Sequence, residues 1–221
     1  MTGSLLDLSN YFYTFSAWPP FIVGACSLLL GLIILIRERG SYASRTFAAL
    51  CVCVSLWLLS IGILYSARDA GLALWISRLG TAAVTFIPST LLAFTIVVVR
   101  QFDRWKWLAR LSLVMSGLMS VAVFCDNRVL IGLRIFPWGP YPYYGPIAYV
   151  FVAFFVSLYV ASLVLLSRKT FGESLFDISQ DRDRQIWIAF CVGFLAIVDG
   201  GACAGAQISI PSAISPSTRA C

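Results

Sequence analysis

No histidine occurs among the 221 residues of the chain. That absence removes histidine-ligated haem, histidine zinc sites, Ser-His-Asp triads and a phospho-accepting histidine together. Lysine is nearly missing too: Lys106 and Lys169 are the only two, and both fall in connecting segments, so a retinal-type Schiff base inside a helical bundle is not expected. Charged residues of all kinds make up 12%, against about 25% in soluble domains. The glycines of Gly200-Gly201-Ala202-Cys203-Ala204-Gly205 follow no strand and precede no Lys-Ser or Lys-Thr pair, so they do not form a phosphate-cradling loop. Basic residues with interleaved aromatics, the footprint of a nucleic-acid surface, are lacking. Within the apolar stretches Asp199 stands nearly alone as an ionisable group, which argues against ion or proton conduction. The chain is therefore expected to be no enzyme, with no metal, cofactor, nucleotide or nucleic acid.

What is present is oil. Apolar residues reach 60% and the mean hydropathy is +0.88. A bilayer core of about 30 Å needs roughly 20 apolar residues per helix. Five stretches meet that need: 18–36, 47–65, 79–99, 108–124 and 147–166. A sixth, 186–210, holds Asp199 and the Gly200-Gly201 pair near its middle. The predicted fold is an all-α integral membrane bundle of about six helices, with an outer segment 1–17, a bundle 18–210 and a tail 211–221.

Sidedness follows from the cations. Arg37, Arg39, Arg45, Arg100, Arg104, Lys106, Arg110, Arg168, Lys169, Arg182 and Arg184 fall on one side, and Arg68, Arg78, Arg128, Arg134 and Arg219 on the other. The heavier side is expected in the cytoplasm, which puts both termini outside a cytoplasmic (inner) membrane. Residues 1–17 hold no Lys or Arg, so a cleavable export signal is not expected. The seven cysteines are spaced irregularly, with no metal or disulfide framework, and read as small hydrophobes.

Several residues are candidates for ligand or partner contact. Arg78 either snorkels to the headgroups or pairs with Asp69, Asp126 or Asp199. Asp199, at membrane depth, must face protein, water or a partner, or take up a proton. Pro88 removes a helical hydrogen bond, and a kink there would open space. The stretch 125–146 carries Arg134 and, between Phe136 and Tyr144, five aromatics: Phe136, Trp138, Tyr141, Tyr143 and Tyr144. Its prolines and glycines forbid a regular helix and fix several turns. It is either an interfacial anchor or a lid over the outer end of the bundle.

With that loop on the page, the chain resembles the amino-terminal multi-helix input region of bacterial sensor histidine kinases, usually drawn with seven spans. The resemblance covers most of the chain and rests on Trp57, Phe86-Ile87-Pro88, the 127–145 loop with Arg134, Phe136-Pro137-Trp138-Gly139 and Tyr144-Gly145-Pro146, and Arg184-Gln185-Ile186. It implies a sensing bundle ahead of cytoplasmic signalling domains. A seventh span and a kinase are not visible, so the expectation is a truncated input module, a receptor acting through a partner, or a recruited packing subunit. Two functions follow. One is a membrane sensing module that binds a small apolar or lipid-like molecule in its outer half, in a pocket among the third, fourth and fifth helices, and acts through a partner. The other is an accessory subunit of a larger membrane complex.

Overall fold

A computed structural model of the protein describes residues 10–12, 14–126, 128–136, 139–172, 184–189 and 191. Five of its helices are long and apolar enough to cross a membrane. They are α1 (Trp18–Arg37), α2 (Tyr42–Ser66), α3 (Ala70–Val98), α4 (Phe102–Cys125) and α5 (Ala148–Gly172), with a short 3-10 turn, Phe15–Ala17, before α1. The protein is an all-α, multi-pass membrane bundle.

The helices outrun the apolar windows that announce them. The third span, expected from residue 79, begins at Ala70 because Asp69 caps it, its carboxylate accepting the Leu72 N–H at 2.8 Å. Such a cap satisfies a helix-end donor that lacks an intrahelical partner. The two added turns carry Leu72, Ala73 and Ile76, all buried. α1 starts with Pro19 and Pro20 in its first turn, where no N–H partner is needed.

Neighbours in sequence pack in order: α1 on α2, α2 on α3, α3 on α4. Without a hydrophobic drive between helices in lipid, close approach of small residues holds such a bundle. Gly31 lies against Cys51 so closely that an added Cβ would stand 2.7 Å from the Cys51 Cβ. At Gly80 the same atom would meet Ser60 at 2.9 Å, and at Gly62 the Phe21 ring at 3.0 Å. Gly117, by contrast, faces open space on the lipid side. α3 is the central helix: 56% of its apolar window is buried, against 11% for the span containing α1. At its far end Leu92 and Ile96 pack with Ala109 of α4 and Leu158 of α5.

The proline-rich connection between α4 and α5, expected as a series of turns, is a β-hairpin. Strand β1 (Leu130–Phe136) pairs antiparallel with β2 (Gly139–Tyr144). A two-stranded ribbon leaves one edge of β2 unpaired, and that is where Pro140 and Pro142 are tolerated. Two glycines seat it. Gly139 has φ +137° and lies against Tyr65 of α2, and a Cβ on Gly145 would collide with the Arg128 carbonyl. The hairpin rests on the ends of α2 and α3, with Leu133 packed on Leu64, Ala67, Leu72, Ala73 and Ile76. At the same end, residues 10–12 pair with the α2–α3 connection through Phe12 N–H to Ser66 O (2.9 Å) and Arg68 N–H to Asn10 O (2.8 Å).

The described residues from Leu166 onward belong to a second unit. In it residues 184–189 are helical, and the Trp187 indole N–H donates to Ser167 Oγ at 2.8 Å. Most of the expected sixth span, with Asp199, and the whole tail 211–221 lie outside the described residues.

Candidate functional site

The hairpin end of the bundle holds the features that matter. A cavity of about 100 Å³ lies between α2, α3 and β2. Its floor is Trp57, Ser60, Ile61, Leu64 and Tyr65 from α2 and Ile76, Ser77, Gly80, Thr81 and Val84 from α3, and Tyr141, Pro142 and Tyr144 roof it. A smaller void of about 50 Å³ sits on the other side of Thr81, among Thr85, Met119, Val123, Tyr144 and Phe151. A wider depression of about 410 Å³ beside Tyr11, Trp18 and Phe21 is open, and its wall is almost wholly apolar.

Tyr144 divides the first two of these spaces, lining both. Tyr144 is half-buried. Burial, then the neighbouring Tyr141, pushes the phenol above the usual tyrosine range, while a hydrogen bond with Thr81 pulls it partly back. A phenol so placed stays protonated and ties the hairpin to α3.

From Thr81 a ribbon of hydroxyls descends along α3. Ser77, Thr81, Thr85 and Ser89 recur every four residues, so they share one helix face, and all four are buried. Thr81 Oγ1 donates to the Ser77 carbonyl at 2.8 Å. Ser89 Oγ donates to the Ser112 carbonyl of α4 at 2.8 Å and lies 2.7 Å from Ser116 Oγ. Ser116 Oγ in turn reaches back to the Thr85 carbonyl at 2.6 Å. Pro88 sits inside this seam, buried, with α3 unbroken through it. The seam closes α3 onto α4, which is why only a side-chain void remains where the sequence pointed to a pocket among the third, fourth and fifth helices. The larger space lies on the α2 side of α3.

The sequence candidates scatter around this site. Tyr141 and Tyr144 are on the roof. Arg134 projects from β1 with its guanidinium 4.9 Å from the Tyr143 ring centre, a cation–π contact, and Phe136 meets Tyr141 edge-on at 6.2 Å. These four residues brace the hairpin. Arg78 is half-buried on α3; two of the three acids offered to it serve backbone donors, Asp69 at the α3 cap and Asp126 accepting the Arg128 N–H at 2.8 Å. Trp138 and Asp199 lie outside the described residues. Sequence reasoning missed Ser77, Thr81, Thr85, Ser89, Ser112 and Ser116, although their four-residue spacing was visible. Tyr65 offered no signal, being the last residue of an apolar run.

Fold and site together define a multi-pass helical membrane protein with a roofed, uncharged cavity at one end. The family described as the N-terminal 7TM region of histidine kinase matches residues 19–211, and the chain belongs to it. It is a membrane sensory input module. Comparison with curated proteins and with solved structures returned no match.

Proposed function

We propose that this input module senses a small molecule of low polarity in the cavity between α2, α3 and the hairpin, and passes its occupancy along α3 to α4 and from there to a signalling partner. The observation that carries the reading is Tyr144: one side chain roofs the cavity, bonds to Thr81 and lines the void that abuts the Thr85–Ser116 seam. A ligand shifts an equilibrium only through contacts that differ between two states. Here those contacts are the roof and the upper turns of α3, and the element they bias is the seam at Pro88. The hairpin end is assigned to the outer face of the inner membrane, with Arg37, Arg39, Arg45, Arg100, Arg104 and Lys106 at the cytoplasmic end.

Filling the cavity tests the proposal. Val84 lines it from α3, and Val84→Phe adds a ring to the empty space. The filled variant is expected to be about 1 kcal/mol more stable, as cavity filling commonly is, and to lose any small compound that co-purifies with the wild-type protein from membranes. Extraction and mass spectrometry of both preparations read this out. Identical compound profiles from wild type and Val84→Phe would refute ligand binding at this place.

A further inference from the structure

Hydroxyls in membrane helices usually donate to the carbonyl one turn back. Ser60 does so to Leu56 at 2.7 Å, Thr81 to Ser77 at 2.8 Å, Thr95 to Leu91 at 2.9 Å and Ser162 to Leu158 at 2.8 Å. Ser55, Ser77 and Thr170 break the pattern, and of these three Ser77 lines the cavity described above. Ser77 is 4% exposed, and its Oγ has no hydrogen-bond partner. A buried donor left unmade carries the full cost of its desolvation, so its position on the wall of a roofed space points to an occupant.

The cavity also restricts what that occupant is. Its wall contains no Asp, Glu, Lys or Arg, and an ion moved there from water would have no counter-charge to offset its lost hydration. Its volume of about 100 Å³ is smaller than the roughly 150 Å³ apolar cavity that accommodates benzene, which leaves room for about four or five non-hydrogen atoms and none for a lipid chain. Ser60 has already committed its proton to a helical carbonyl, so its oxygen accepts, whereas Ser77 has a proton to give. Trp57, Ile76 and Val84 supply apolar contact.

We infer that the cavity takes a small uncharged solute carrying both an apolar body and a hydrogen-bond acceptor that is met by Ser77, and not an acyl chain or an ion. This rests on the ligand-sensing reading above and narrows it.

The full chain in lipid nanodiscs supplies the test, with the thermal unfolding midpoint followed against three probes of matched size: propanamide, propionate and n-pentane. Propanamide is expected to raise the wild-type midpoint in a saturable way, with no effect from propionate. Ser77→Ala keeps the space and removes the donor; it should raise the half-saturating concentration of propanamide about three- to tenfold, the usual worth of one neutral hydrogen bond. Without probe, Ser77→Ala should be as stable as wild type or more so, since an unmet donor is gone. Ser77→Leu, or Ser77→Val if that variant does not fold, should abolish the propanamide response by closing the space. Stabilisation by n-pentane with Ser77→Ala indifferent would overturn this inference and leave the broader reading standing. Stabilisation by propionate equal to that by propanamide would overturn it as well. If none of the three probes stabilises wild type while Ser77→Leu melts higher, the cavity is a packing void and both readings fall.

Discussion

Replacing Gly145 with alanine should unseat the hairpin and cost about 3 kcal/mol, at the upper end of what overpacking usually does. The reason is backbone and not side chain: the new Cβ would collide with the Arg128 carbonyl, and Gly145 N–H donates to Val129 O at 3.0 Å, so the two strand ends cannot separate without breaking that bond. Flexible neighbours could yield; a carbonyl fixed at the head of β1 cannot. Because Tyr144 precedes Gly145, its hydroxyl should return to water. In wild type the buried phenol titrates above the usual tyrosine range, so its contribution to stability is fully present below the unfolded value of about 10 and is lost as pH rises toward the folded value. Spectrophotometric titration should therefore find, among the nine tyrosines, an alkali-resistant fraction in wild type that shrinks by one tyrosine in Gly145→Ala. Thermal unfolding should lose its extra alkaline sensitivity in the same variant. If the resistant fraction persists undiminished with the melting point unchanged, the hairpin is not held as described.

Ser116→Leu should separate α3 from α4, costing about 3 kcal/mol. Ser116 is fully buried, and its hydroxyl both meets Ser89 at 2.7 Å and donates to Thr85 O at 2.6 Å. Hydrogen bonds between membrane helices are worth about 0.6 kcal/mol each on average and at most about 1.7, so Ser116→Ala should cost only about 1 kcal/mol. The difference is the bulk forced into a seam already filled by Ser89 and the Thr85 carbonyl. Equilibrium unfolding in detergent separates the two effects. Equal losses for Ser116→Ala and Ser116→Leu would mean that the seam has room to spare, and it would then be a poor carrier of strain between the helices.

Much of this architecture was legible in the sequence because lipid imposes a simple rule. Segments such as 47–65 and 147–166 have no alternative to a helix once their backbone must satisfy itself inside hydrocarbon. The ends were less legible: α3 starts at Ala70 because Asp69 caps it, a local hydrogen bond that hydropathy does not register. The hairpin was hidden by its own composition. Pro140 and Pro142 argue against a strand in general and are compatible with one only at an unpaired edge, which is a fact of topology. Of the site, the roof tyrosines were visible as aromatics near the interface. Ser77 and the seam were not, because serine and threonine in a membrane helix are usually back-bonded and silent. What distinguishes Ser77 is the absence of that bond beside a cavity, and what distinguishes Ser89 is a partner 27 residues away, neither of which spacing alone reveals.

The central claim is that occupancy beneath the hairpin is felt at the α3–α4 seam, and methionine methyl NMR tests it most directly. The chain holds three methionines, Met1, Met115 and Met119. Met119 lines the void beside Thr85 and Tyr144, whereas Met115 is 37% exposed and faces lipid. Filling the cavity with Val84→Phe should shift the Met119 methyl resonance and leave Met115 in place. Adding Thr81→Val, which cuts the bond to Tyr144, should remove most of that shift even though the new ring is still present. A Met119 signal that ignores the filled cavity, or moves no more than Met115, would contradict the account.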